Sequence, residues 1–407
     1  MKNSTHENKK SMVIALSAVG VIIAAVIGIG IYSLVSDSGE KVAKKQNTDK
    51  AFNTSAYSQS AMEENEYQYS DTVIEANSQI FAMDASKITV RKSGTNDEKT
   101  IATGNLAPGM VTNSQTLYYF DADTSAIMSV DVKSGKAKEV VKPAENVTPD
   151  EKSTSANYEF ARFDGMYGDS LYYQMQEGEE YMPNYCVDVK TGKVTKLSLA
   201  DYGTYKFQIA DGRLYYDIFR TMNSPTVLYS SLPDGSDKKT IVEGITNFEV
   251  IGDKVYYFKA EDITKSTNKI MVYHIKTGKS EVIKENLPYV SGGFTSYAMI
   301  YDMSMGNTVH TVVDYYDGAG EALGGNGVKL CGEVAIVHAG VPEDITTDEA
   351  MEAAKNPEWY LVGNGVCSEI IKLPENTTPV NFKDGYFYYY TYTADGKNVI
   401  NRTKINF

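Results

Sequence analysis

The sequence predicts an all-β fold: a β-propeller of four-stranded antiparallel blades preceded by a single transmembrane helix. Three features predict it. A short aliphatic-aromatic phrase recurs about every forty residues, a Gly-containing turn phrase trails it, and one long uncharged run lies near the N-terminus. The 31 Tyr against a single Trp also favour strands.

The N-terminal elements come first in the chain. Residues 12–35 hold no charged side chain. As a helix they would span about 36 Å, enough to cross a hydrocarbon core of about 30 Å with some tilt. A cleaved signal peptide has an apolar core of roughly 7–15 residues and a small-x-small end. This run is longer and ends Tyr32-Ser33-Leu34-Val35, so it reads as an uncleaved signal-anchor. Lys9 and Lys10 abut it on one side, and Asp37 and Glu40 follow it on the other. That asymmetry makes residues 1–11 a short cytoplasmic tail and puts the remainder outside the cytoplasm, in the cell envelope. Residues 36–70 are polar without a sustained period and read as a stalk.

Residues 71–407 carry the repeat. The first phrase reads Gln79-Ile80-Phe81, Leu117-Tyr118-Tyr119, Leu171-Tyr172-Tyr173, Leu214-Tyr215-Tyr216, Val255-Tyr256-Tyr257 and Phe387-Tyr388-Tyr389. Turn residues such as Gly168-Asp169, Asp211-Gly212 and Asp384-Gly385 precede it, which is hairpin punctuation. The second phrase reads Val130-Asp131-Val132-Lys133-Ser134-Gly135-Lys136, Val187-Asp188-Val189-Lys190-Thr191-Gly192-Lys193 and Tyr273-His274-Ile275-Lys276-Thr277-Gly278-Lys279. Its Gly falls where a hairpin loop needs φ > 0. Each unit is therefore four strands. Stacking such units around an axis buries faces that one sheet leaves open.

The expected blades are 71–104, 105–145, 156–200, 203–244, 245–286, 287–375 and 376–407. Seven is the favoured count, with six or eight open, because 287–375 is long enough for two irregular blades. Within it, Thr346 and Glu349 form a capping box for a helix over 346–355, ended by Asn356-Pro357. An irregular insertion is expected at about 317–357. The last unit stops after three strands, and an N-terminal strand near 66–76 is expected to complete it.

The units 211–244 and 252–285 resemble the uncharacterised bacterial propeller domains akin to the low-density-lipoprotein-receptor (YWTD) and TolB-type propellers. The resemblance covers about 71–286 and 376–407. Leu117-Tyr118-Tyr119-Phe120-Asp121 keeps the terminal Asp of the YWTD phrase and has Tyr where that phrase has Trp. The other copies depart further, so no ligand site is carried across. The resemblance implies a propeller fold and an interaction module.

The chemistry-bearing residues select no reaction. Gly318, Gly320 and Gly324 in the stretch 317–327 lack dinucleotide spacing and lead into Gly325-Asn326-Gly327, so the stretch reads as a loop. Asp121-Ala122-Asp123 and Asp234-Gly235-Ser236-Asp237 lack the later acidic ligand of a calcium loop and read as hairpin turns. His274, His310 and His338 sit in different units, away from zinc spacing. Cys331 and Cys367 could pair, leaving Cys186 alone, or all three could be inert thiols. No G-x-S-x-G elbow occurs, and acid pairs such as Glu179-Glu180 select nothing in an acidic chain. A formal charge of −14 argues against a nucleic-acid partner.

The reading is thus a single-pass, membrane-tethered, extracytoplasmic propeller that binds or scaffolds a protein or cell-envelope polymer on one face. The segment 287–375 is its candidate contact. No catalytic residue, cofactor-binding residue, metal ligand or cofactor is assigned. The alternative is a glycan-active hydrolase or lyase with a site at the propeller axis. A sensor relaying through the bilayer would need a membrane partner, since the tail is too short for a signalling domain.

Overall fold

In the computed structural model the aliphatic-aromatic phrase lies on the second strand of six antiparallel sheet units, and the Gly phrase where a third strand turns into the fourth. The structure describes residues 68–405 except 71, 125, 143–155, 178–181, 201–203, 219–225, 263–266, 288–289, 296, 306–307, 317–319, 324–327, 332–333, 340–356, 364–365, 369, 375–376 and 393–397. The expected transmembrane span at 12–35 and the expected helix at 346–355 both lie outside the described residues. All elements among the described residues are strands and turns.

The first sheet contains Val73–Ala76, Gln79–Met83, Lys87–Lys92 and Glu98–Thr103. The second contains Leu106–Thr112, Thr116–Asp121, Ala126–Asp131 and Ala137–Val141. Ala156–Tyr167, Ser170–Glu177, Asn184–Asp188 and Val194–Lys196 form the third. The fourth begins with Thr204–Ala210, Arg213–Ile218 and Thr226–Ser231. Its last strand, Lys239–Ile251, runs on to become the first strand of the fifth, followed by Lys254–Asp262, Thr267–His274 and Lys279–Leu287. Val290–Phe294, Ala298–Met305, Thr308–Tyr315 and Gly320–Leu323 form the sixth. The seventh is Val328–Cys331, Val334–His338, Glu358–Gly363 and the short pieces Val366–Cys367 and Ile371–Lys372. Thr377–Lys383, Tyr386–Tyr392 and Asn398–Lys404 form the eighth.

The phrase makes the stack. A strand's side chains alternate between its two faces. Leu117 and Tyr119 enter the cluster shared with the first sheet, and Tyr118 and Phe120 the cluster shared with the third. Leu214 and Tyr216 pack toward the third sheet while Tyr215 packs toward the fifth. Every second strand repeats this splay, so each sheet is glued on both faces. The apolar clusters run from one sheet to the next around a circle, and the last joins Val380 and Tyr388 of the eighth sheet to Val73, Ile80 and Ala82 of the first. The inner strands of successive sheets are neighbours in the same order, the seventh meeting the eighth through Val334–His338 and the eighth lying beside the first. The fold is a closed β-propeller.

Three expectations are corrected. The described residues form eight sheet units rather than seven, because 287–375 divides into the sixth and seventh. Those two carry the splay with Ala298-Met299-Ile300-Tyr301 and Val334-Ala335-Ile336-Val337, which the Tyr-based phrase does not match. Three strands of these sheets fall within 317–357 and are laddered to their neighbours. Next, the fourth and fifth units are one hydrogen-bonded sheet of seven strands. Lys239–Ile251 pairs with one unit up to Ile245 and with the next from Ile245 onward. A bulge after Ile245 and Gly244 at φ 79° turn the strand from an outer position to an inner one without a loop.

The third correction concerns closure. The N-terminal strand Gln68–Ser70 does not complete the last sheet; it pairs with the inner edge of the second, Gln68 opposite Thr112 and Ser70 opposite Met110. Side chains close the ring instead. The buried Arg91 donates to Asp384 at 2.5 Å, to the Tyr388 hydroxyl at 2.8 Å and to Thr95 O at 3.2 Å, and it stacks on Tyr386. Burial alone would raise the Asp384 pKa, but hydrogen bonds from Arg91, Gly94 N–H and Ser93 outweigh it and hold the carboxyl below its ordinary 3.8.

Removing one partner of a buried ion pair leaves an uncompensated charge. Asp384→Ala is therefore expected to cost about 3–5 kcal/mol, against about 1 kcal/mol or less for Arg402→Ala at the more exposed Arg402–Glu98 pair; urea unfolding midpoints read both. Because the folded-state pKa of Asp384 is depressed, its contribution is present above the ordinary value and is lost as pH falls through the folded one. Stability of the wild type should thus drop more steeply than that of Asp384→Asn as pH falls below about 4. In the sixth sheet, a Cβ on Gly292 would lie 2.3 Å from Ile300 O and 2.5 Å from Tyr301 Cα. Backbone cannot yield as a side chain can, so Gly292→Ala should reach or exceed the upper end of about 1–3 kcal/mol of overpacking.

Candidate functional site: the axial polar rim

Antiparallel order puts the turns between first and second strands and those between third and fourth strands on one face, here the turn face. The links between second and third strands, and the passages from one sheet to the next, lie on the opposite connection face. On the innermost strands the sequence repeats a triplet of polar residue, Phe, polar residue: Arg162-Phe163-Asp164, Lys206-Phe207-Gln208, Asn247-Phe248-Glu249 and Asn381-Phe382-Lys383. Alternation sends each Phe into the cluster shared with the preceding sheet. The flanking polar groups lie off that apolar contact.

The first polar residue of the triplet reaches forward to the next sheet. Arg162 donates to Thr204 O at 3.1 Å, Asn247 Nδ2 to Gly292 O at 2.6 Å and Asn381 Nδ2 to Val73 O at 3.0 Å. Lys206 Nζ reaches Asn247 Oδ1 at 3.3 Å and Glu249 Oε2 at 2.6 Å. Gln208 adds a donated bond to Glu249 and accepts from Val250 N–H. These bonds pin inner strands that share no ladder, so they fix the rim of the axis.

Behind the rim, at the connection-face ends of the third and fourth sheets, lies a buried polar cluster. Asn184 donates to Asp164 Oδ2 at 3.1 Å and to Thr204 Oγ1 at 3.0 Å, and Gln174 donates to Thr204 O and Oγ1. Asp217, 2% exposed, accepts the Lys206 N–H at 2.7 Å. Burial pushes its carboxyl above 3.8, opposed by that hydrogen bond. The acids of this region are each spent on a local cation or amide: Asp164 on Arg162 and Asn184, Glu249 on Lys206 and Gln208.

Two open clefts lie between sheets on the turn face. One, about 680 Å³ between the first and second sheets, is lined by Asn77, Gln79, Lys92, Asp97, Ser114 and Lys133. The other, about 510 Å³ between the fifth and sixth, is lined by Lys254, Tyr256, His274, Glu281, Asp314 and Tyr316. Tyr256 stacks on Tyr316 at 4.8 Å, and Asp314 takes bonds from Lys284 and Tyr301.

The residues weighed in the sequence do not come together. Asp121 and Asp234 cap turns: Asp121 Oδ1 accepts from Asp123 and Thr124 N–H, and Asp234 Oδ1 from Ser236 N–H and its hydroxyl. Asp131 and Asp188 cap the Lys-Ser/Thr-Gly-Lys turns in the same way, with Gly135 at φ 70° and Gly192 at φ 71°. His274 lies 3.6 Å from Glu281. His338 packs edge-on against Trp359, and burial lowers its pKa. The His310 backbone pairs opposite Met303. Cys331 is a free thiol, pushed up to about 11 by burial, and Cys186 is free and half-buried. Residues 320–323 of the Gly-rich stretch form an edge strand. Glu179-Glu180 lies outside the described residues. Among the described residues, no group of three or more His, Cys, Asp or Glu side chains is placed to hold a metal ion. The rim residues were not singled out in the sequence; the polar-Phe-polar triplet is the signal that finds them.

No known family matches the chain, and no curated protein does. Among solved structures, a prolyl endopeptidase matches at 12% identity over 82% of this chain and 54% of its own, with a TM-score of 0.47. TolB from Acinetobacter baumannii matches at 14% over 59% and 62%, TM-score 0.35. An oligogalacturonate lyase in complex with manganese matches at 12% over 84% and 91%, TM-score 0.42. The chain spans about half the length of the prolyl endopeptidase it is similar to. The fold assignment rests on the sheet order and ring closure above.

Asp217→Asn keeps an acceptor for the Lys206 N–H and removes a buried charge. It should leave stability at neutral pH unchanged or raised and flatten its decline above pH 3.8, the ordinary carboxyl value. Asp217→Ala strands that donor and should cost about 1–3 kcal/mol in the same denaturation experiment.

Proposed function

We propose that the chain is a single-pass, membrane-tethered, extracytoplasmic propeller that binds or scaffolds a protein or cell-envelope polymer. The observation that carries this reading is how the rim acids are used. In the third to fifth sheets, Asp164 and Glu249 are held by Arg162 and Lys206, and Asp217 behind them accepts the Lys206 N–H, so these acids are engaged within the ring where an axial enzyme would aim its acids at a substrate. What the rim offers is a rigid frame from which the connection-face links rise. Recognition commonly resides on such loops when a fixed scaffold positions them. The link between Val334–His338 and Glu358–Gly363 leaves this face and lies in the segment expected to make the contact. The anchor at 12–35 and the extracytoplasmic address belong to the same proposal, on the hydropathy of that run.

The test uses the full chain in intact cells, with in-cell crosslinking and recovery of adducts. Replacing residues 342–355 by a short Gly-Ser link, which leaves every described strand in place, should abolish the specific adducts. Substitution of exposed Lys136 on the turn face should not. Unchanged adducts in the 342–355 variant would contradict the contact. Turnover of an envelope glycan by the purified chain, lost in Asp164→Asn, would establish the axial hydrolase or lyase instead.

A further inference from the structure

The strand Gln68–Ser70 fixes how the N-terminal part of the chain meets the ring. It is the innermost strand of the second sheet, and it also neighbours the inner strands of the first and third sheets. It runs antiparallel to Leu106–Thr112, with Gln68 at the Thr112 end. That end leads through Asn113 to Gln115 into a turn-face hairpin. The Ser70 hydroxyl then accepts the Thr72 and Val73 N–H groups where the chain reverses into the first sheet. Gln68, the first described residue, therefore lies beside the axis at its turn-face end.

The same face carries three copies of one basic hairpin, at 133–136, 190–193 and 276–279. Each presents two lysines around a Gly at positive φ. Lys190 and Lys276 pair with Asp169 at 2.6 Å and Asp253 at 3.2 Å. Lys133, Lys136, Lys193 and Lys279 are exposed. The first aspartates of two of these phrases, Asp131 and Asp188, are engaged with turn N–H groups.

We propose that the turn face is the membrane-proximal face and that Lys133, Lys136, Lys193 and Lys279 contact the phosphates of anionic lipid headgroups. The proposal rests on the anchor reading given above and goes beyond it. A tether at a single point does not by itself orient the body. Basic side chains near an anionic surface supply the orienting attraction, and it weakens beyond a Debye length of about 10 Å at 0.1 M salt. The body is acidic overall, and exposed Asp97, Asp169, Asp211, Asp234 and Asp253 share the turn face, so the attraction is confined to the three hairpins where exposed lysines repeat. This leaves the connection face directed away from the bilayer.

The full chain is reconstituted in phosphatidylglycerol and, separately, in phosphatidylcholine vesicles, treated with an amine-acylating reagent and read lysine by lysine by mass spectrometry. A several-fold loss of labelling at Lys133, Lys136, Lys193 and Lys279 in phosphatidylglycerol alone is expected, with Lys87 and Lys259 near the connection face unchanged. Equal labelling of the four lysines in both lipids would overturn the orientation while leaving the anchor standing. Protection of Lys87 and Lys259 instead would reverse it. Failure of the chain to float with either vesicle would overturn the anchor and the orientation together.

Discussion

A four-stranded sheet with apolar side chains on both faces cannot exist alone in water, and that constraint organises this molecule. The second strand of each unit is the clearest expression of it. In Leu171-Tyr172-Tyr173, the first and third residues belong to the sheet before and the middle one to the sheet after. A fully buried Tyr carries a large apolar area, so each such strand commits its sheet to two neighbours. A linear stack would leave two faces wet. Closing the circle removes both.

Closure by side chains has its own logic. Where the inner strands of neighbouring sheets form no ladder, polar side chains supply the missing bonds. The pin from Asn247 to Gly292 O recurs at the seam as Asn381 to Val73 O, and each of these Asn side chains also accepts the N–H of the following Phe. The seam then differs from the other joints by its buried Arg91–Asp384 pair, reinforced by Tyr388 and Tyr386. Lipophilic packing chooses the neighbours; directional bonds set the rim.

Much of this was legible in the sequence because period-2 alternation and turn chemistry are local. The Tyr-bearing strands and the Gly of Lys-Ser/Thr-Gly-Lys turns could be placed on those grounds alone. The sixth and seventh sheets were hidden because Ala298-Met299-Ile300-Tyr301 and Val334-Ala335-Ile336-Val337 perform the same splay with mostly aliphatic side chains. The shared strand Lys239–Ile251 was hidden because a bend at Gly244 and a bulge replace the expected loop. The pairing of Gln68–Ser70 depends on which open inner edge is nearest in space, which no local pattern encodes. The rim was readable in principle as polar-Phe-polar, but each triplet is short and its partners lie 41 to 45 residues away, or 308 for Asn381 across the seam.

Closure of the ring is tested most directly by hydrogen exchange resolved to individual strands. The account predicts that Gln79–Met83 and Tyr386–Tyr392, on either side of the seam, exchange as slowly as Ser170–Glu177 and Arg213–Ile218 within the continuous part, and that all four open together. Fast, independent exchange of the first and eighth sheets, with the others still protected, would show an open arc and contradict it.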